Sequence, residues 1–211
     1  EASLGQREHS FWASMRNPRV LMLILIFFCI VAGNSTLVFY GPSIVKSVGI
    51  TDLKTLGWVM SLIYACGWIG MVGNGWLSDR KKEVRWHTAI AAAMGAVGLV
   101  LTALFLQQGN VTGVVASLAL SSLGTMGSIP VYWQIPNRFL SATALVVGLA
   151  VINSAANLAG YFSPQLLGLL KSSSGSYAPG LLIIAAVEFC AAILVLLFVK
   201  RDSAGVAKQH P

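Results

Sequence analysis

A chain of 211 residues, 56% hydrophobic and 10% charged with a mean hydropathy of +0.75, carries too little polar surface for a water-soluble domain. Six continuous apolar runs of about 20 residues suit helices that cross a bilayer core, which excludes an alternating β-barrel and leaves no length for a soluble catalytic domain. The net charge of +7 is spread over alternate loops rather than gathered in one patch, so no nucleic-acid partner is expected.

The expected fold is an all-α membrane protein, a six-transmembrane-helix bundle with spans at 20–40, 56–77, 87–106, 112–135, 142–170 and 179–199. Residues 1–19 mix charge, Ser and Asn and read as a linker or tail approaching the membrane; 200–211 read as a polar tail. The first residue is Glu rather than Met, which fits a piece of a longer protein or a processed one, and no cleavable signal peptide is visible. Asn17-Pro18 opens the first span, since Pro suits a first helical turn, and Tyr40-Gly41-Pro42 is expected to end it. The second span carries Gly67, Gly70 and Gly73, the third Gly95 and Gly98, the fifth Ala155 and Ala159. Small residues let membrane helices approach closely where lipid supplies no hydrophobic drive; they serve static packing or surfaces that rock during transport. Residues 49–55, 107–111 and 172–176 form the expected connections on one side, the last a flexible Ser-rich loop.

Eleven Lys and Arg residues fall on one side of this topology and three (Lys46, Lys54, Lys171) on the other. That bias places both termini in the cytoplasm, and Trp76 and Trp86 flank the most basic loop as interfacial anchors. Cys29, Cys66 and Cys190 lie inside spans as small apolar residues, and the three His lie at membrane edges or in tails, so neither metal nor cofactor is expected. Six spans split into two sets of three at 107–111, related by inverted topology.

Several polar residues lie where only lipid or protein should surround them. Pro130 and Pro136 each remove a helix hydrogen bond and are expected to break or kink the fourth span, with Trp133 and Gln134 between them. Trp133 suits a stacking plate in a binding site or an interfacial anchor. Asn153 and Asn157, four apart, share a helix face and need partners from another helix, water or a ligand. Asn34, Ser35, Thr36 and Tyr40 form a polar segment in the outer half of the first span that can line a cavity. Glu188 is the only formal charge deep within a span, and desolvation favours a protonated or hydrogen-bonded structural group there.

The loop between the second and third spans reads Gly75-Trp76-Leu77-Ser78-Asp79-Arg80-Lys81-Lys82-Glu83-Val84-Arg85-Trp86-His87. Gly75 permits close helix approach, Asp79 suits a neighbouring helix N-terminus, and Arg80 and Arg85 suit acids or lipid phosphates. The ordered Gly, Asp, Arg spacing resembles the signature of the major facilitator superfamily, although the glycine often found after the Asp-Arg pair is absent. The strings Pro130-Val131-Tyr132-Trp133-Gln134-Ile135-Pro136-Asn137-Arg138-Phe139-Leu140-Ser141 and Ile152-Asn153-Ser154-Ala155-Ala156-Asn157-Leu158-Ala159-Gly160 are similar to its anion:cation symporter branch.

That resemblance implies helices seven to twelve of a twelve-helix secondary transporter, in a plasma or bacterial inner membrane. It further implies a small organic-acid substrate, a proton or cation as coupling ion, and a missing N-terminal six-helix half. Trp133 and Asn153 would contact the substrate, with Tyr132, Gln134, Asn157, Asn34 and Tyr40 nearby. Gly75, Asp79, Arg80, Arg85 and Arg138 would form a cytoplasmic gate. The chain is not expected to be an enzyme: an intramembrane serine protease needs a base for a nucleophile such as Ser128, and the sixth span holds no His. The remaining alternative is a homo-oligomeric six-helix channel or scaffold.

Overall fold

The computed structural model describes residues 17–139 and 142–199; the two tails and residues 140–141 lie outside them. Every regular element among the described residues is a helix: α1 (Pro18–Ser47), α2 (Leu53–Lys81), α3 (Arg85–Gln107), α4 (Val111–Tyr132), the short α5 (Pro136–Phe139), α6 (Ala142–Ala156), α7 (Ala159–Ser174) and α8 (Ala178–Phe198). They supply six membrane-spanning stretches, α6 and α7 together making the fifth. Three of the helices, α1, α2 and α4, start where a short polar side chain satisfies a free N–H group. The Asn17 amide oxygen accepts from Arg19 N at 2.9 Å, the Asp52 carboxylate from Thr55 N at 2.8 Å and the Asn110 amide oxygen from Gly113 N at 2.9 Å. At α3 the Glu83 carboxylate does this from the preceding loop, accepting from Trp86 N at 2.8 Å and His87 N at 3.2 Å.

The packing order exposes the internal repeat. α2 packs chiefly on α4, while α6 and α7 pack on α1; α3 and α8 pack on each other, and α1 meets both α4 and α8. Exchanging the first three spans for the last three maps the α2–α4 contact onto that of α1 with the fifth span and the α1–α8 contact onto a contact of α3 with α4, and leaves the α3–α8 and α1–α4 contacts unchanged, as two inverted three-helix units require. Only 28% of the most apolar stretch of α2, and the same share of the fifth span, is buried in the bundle, against 67% for α1. These two spans therefore flank the bundle and leave one long side each uncovered. Close approach of α2 to α4 is made at Gly70, where a Cβ would collide with the Leu123 carbonyl, and close approach of α3 to α4 at Gly124, where it would collide with the backbone of Gly95 and Ala91.

Four expectations are corrected. α1 does not end at Tyr40-Gly41-Pro42 but runs on to Ser47, because an internal Pro removes one hydrogen bond that a packed membrane helix tolerates. Pro130 likewise sits inside α4 without breaking it. The chain turns only at 133–135, and Pro136 opens α5. The fifth span, expected to be continuous, is interrupted at Asn157 and Leu158. There Leu158 N donates to Ala155 O, Gly160 N to Asn157 O and Tyr161 N to Leu158 O, three tightened i to i+3 bonds. Just beyond it, inside α7, the Pro164 ring removes the N–H that would reach the Gly160 carbonyl and crowds that carbonyl. Finally, the Ser-rich connection is mostly helix: α7 extends to Ser174, with the Ser173 and Ser174 hydroxyls donating back to Leu170 O and Gly175 turning the chain at φ 74°.

Candidate functional site

The residues expected to surround a solute fall into separate groups. At the basic end of the bundle, Tyr132 is fully buried. Its ring stacks on Phe27 of α1 (centroids 4.7 Å apart, planes 6° apart), and its hydroxyl donates to Leu23 O at 2.8 Å. This removes Tyr132 from any surface of the bundle and makes it a tie between α1 and α4. Trp133, half-buried, meets Phe27 edge-on at 4.7 Å and Tyr132 at 5.5 Å. Its plate is thus braced from two sides at the point where α4 ends.

Gln134 does not stand beside Trp133 as a free amide. Its Nε2 donates to Asp79 Oδ1 at 2.8 Å, joining the turn after α4 to the end of α2. Asp79 was expected to accept from a helix N-terminus, and within this bundle it accepts instead from that side chain. Arg80 lies over Trp76, 5.2 Å from the ring centroid. Arg85 lies over Trp86 at 5.7 Å and donates through Nη2 to Leu196 O, capping the last turn of α8 where free carbonyls gather negative charge. Arg138 is exposed on α5. Gly75 makes only an ordinary contact with Pro130, 3.9 Å from the position its Cβ would take, so close helix approach lies deeper, at Gly70. Lys82 closes α2 in the left-handed region at φ 51°, the only non-glycine among the described residues to do so. That is a conformation glycine adopts without cost, and it falls in the loop where the resembling signature carries one.

The second group lies at the interruption of the fifth span, which divides it into helices of 15 and 16 residues. Asn157 Nδ2 donates to Asn153 O at 2.7 Å and to Asn153 Oδ1 at 3.0 Å. Both residues are exposed from the bundle, and among the described residues Asn153 Nδ2 has no acceptor. At 1.5 Å rise per residue, Asn153 stands roughly 16 Å from the start of α6, about half of a bilayer core. The pair therefore offers an amide donor at mid-depth on a flanking span, beside backbone groups loosened by the break. Asn34 is half-buried on α1. Tyr40 lies towards the opposite end, edge-on to Tyr177 at 5.7 Å, its hydroxyl filling the space over Gly168. No hydrogen bond or ring contact among the described residues joins the Trp133, Asn153 and Tyr40 groups to one another.

Two further polar centres lie inside the bundle, and the first of them escaped the sequence. Asn74 Nδ2 donates to Gly127 O at 2.9 Å and His87 O at 3.2 Å, so its Oδ1 is the acceptor for His87 Nδ1 at 2.9 Å. This ties α2, α3 and α4 together near the basic end; an Asn in an apolar run beside three glycines was the available signal. Glu188 is completely buried and accepts from Thr125 Oγ1 at 2.6 Å, while its second oxygen has no partner. No group of three or more His, Cys, Asp or Glu residues able to hold a metal occurs among the described residues.

Residues 2–164 match the family described as the Major Facilitator Superfamily. Over 211 residues the chain is 34% identical to a protein named "Putative tartrate transporter" from Agrobacterium vitis, covering 100% of this chain and 48% of that one. It is 30% identical over 189 residues to "Putative metabolite transport protein NicT" from Pseudomonas putida, covering 90% and 43%. A third relative, "Quinolone resistance transporter" from Acinetobacter baumannii, is 29% identical over 198 residues, covering 93% and 45%. The chain spans about half the length of the curated relatives it matches, and it corresponds to their C-terminal half.

Proposed function

The chain belongs to the major facilitator superfamily, and from that premise we propose that it forms one bundle of a secondary transporter for a small organic anion, coupled to a proton or cation. The bundle would rock against a second six-helix half, with α2 and the α6–α7 span forming the contact between them and both termini in the cytoplasm. Tartrate-named relatives supply the substrate class, and the eleven-to-three charge split supplies the orientation.

The observation that carries this reading is the Asn153–Asn157 pair. Asn157 satisfies its amide on Asn153, which leaves the Asn153 Nδ2 donor at mid-bilayer depth, exposed on a broken and scarcely buried span, without an acceptor among the described residues. An organic carboxylate or hydroxyl meeting the Asn153 Nδ2 donor satisfies that need. Trp133 orients the solute from the basic end; Asn34 and Tyr40 line the approach from the other. Gln134 belongs to the gate, where with Asp79 it holds α2 against the end of α4. None of these groups supplies a full positive charge, so the main electrostatic attraction comes from the other half.

Asn153→Ala in the complete transporter should weaken binding of a hydroxy-dicarboxylic acid by about 1.5–3 kcal/mol, the scale of a hydrogen bond to a charged group, with the expression level unchanged. Equilibrium binding to protein in lipid nanodiscs measures this. Parent-like affinity for every tested acid would make Asn153 a packing residue.

A further inference from the structure

The midpoint of the bundle holds a four-residue arrangement that the solute face does not use. Counted from their first residues, Gly95 of α3 and Glu188 of α8 both come eleventh. Gly33 of α1 comes sixteenth and Thr125 of α4 fifteenth. Since α1 answers to α4 and α3 to α8 in the repeat, the four occupy corresponding depths around its axis, within the one-residue scatter of helix ends. The first repeat contributes two glycines and the second a hydroxyl and an acid. The glycines make the slot: a Cβ at Gly33 or at Gly95 would collide with the Glu188 carboxyl, and one at Gly95 also with Thr125.

An ionised carboxylate offers about four acceptor sites, yet here Thr125 Oγ1 meets Oε1 and Oε2 is buried without any partner. Ser121, one turn from Thr125 on the same seam, also carries a buried hydroxyl oxygen without a partner. The titratable groups near the acid are the Cys29 thiol of α1 and, on its own helix, Cys190; α3 and α4 present hydroxyls and small residues, and no Lys or Arg reaches it. Glycine backbones close the slot on two sides. A proton fits.

We propose that Glu188 and Thr125 form a proton-binding site where the two repeats meet, with an exchangeable proton carried on Glu188 Oε2. Thr125 donates to Oε1 in both states, so gaining or losing the proton changes only the second oxygen and the charge. Release leaves a carboxylate wedged against two glycine backbones and favours separation of α1 and α3 from α8. The site is independent of the solute face, and failure of the Asn153 test leaves it untouched.

Infrared difference spectroscopy of the full chain in lipid nanodiscs, stepped from acid to alkaline pH, tests this. The carbonyl band of a protonated carboxylic acid is expected at neutral pH and should decline reversibly in alkali. It should be absent in Glu188→Gln and move to higher frequency in Thr125→Val, which removes the bond to its carbonyl oxygen. Should Glu188→Gln fail to fold, the Thr125→Val shift alone carries the assignment. A spectrum in which neither substitution changes any acid band at any pH overturns the proposal, because the carboxyl is then ionised throughout. A band that responds to substitution but never to pH overturns it equally, because the proton then does not exchange.

Discussion

Lys82 shows how a single residue can carry a measurable cost. A side chain in the left-handed region brings Cβ against the following carbonyl, worth about 1–2 kcal/mol, and Lys82 sits there at φ 51° with its N–H bonded to Asp79 O at 3.3 Å. Lys82→Gly should therefore raise the midpoint of thermal unfolding in detergent, the relief exceeding the roughly 0.5–1 kcal/mol that glycine costs through its freer unfolded chain. An unchanged or lower midpoint would show that the lysine side chain contributes more than its backbone strain. Gln134 and Asp79 make a second residue-scale case. A double-mutant cycle with Gln134→Ala and Asp79→Ala should give a coupling of about 0.5–1.5 kcal/mol. Additive effects on stability would mean that the 2.8 Å bond contributes nothing. The sequence placed both residues correctly near the end of a span but assigned them to different tasks, since nothing local links positions 55 apart. Glu188 stood out as the only formal charge deep in an apolar run, whereas its partner Thr125, 63 positions away, carries no such mark.

At the scale of elements, hydropathy and length decide the outcome more than any breaker residue. Pro42 and Pro130 both lie inside helices that continue past them, because neighbouring packing and the absence of water hold the remaining backbone bonds. Pro164 lies in a span that is interrupted, and the difference is legible only in context: Gly160 lies four residues before it, and Asn157 provides a side chain that competes for the Asn153 carbonyl. Pro164→Ala should join α6 and α7 into one helix and lengthen the distance between spin labels at Val147 and Leu169, read by double electron–electron resonance. An unaltered distance would assign the break to Asn157 instead. Gly70→Ala tests the packing of α2 in the same spirit. Its Cβ has no room against the Leu123 carbonyl, so it should destabilise the bundle by about 1–3 kcal/mol, the cost of overpacking. The glycine spacing was visible in the sequence, but which member of Gly67, Gly70, Gly73 and Gly75 makes the tightest approach depends on rotation of α2 about its axis, set by contacts with α4.

The whole molecule is a bundle with two incomplete sides. The six apolar runs and the family signature sufficed to read it as an all-helical transporter half, because bilayer thickness and backbone hydrogen bonding permit few other solutions. The proposed solute face is less legible, since its residues come from separate spans and, in the proposal, a second half completes it. Asn153 is proposed to face a water-filled cavity between two halves and to touch the transported anion. The most direct test is modification of Asn153→Cys by a membrane-impermeant thiol reagent, in a complete transporter whose Cys29, Cys66 and Cys190 are replaced by Ala or Ser. Labelling in lipid is expected, slowed by a transported organic acid and unchanged by a non-transported one. No labelling from either side, or labelling at the same rate whatever acid is present, would contradict it.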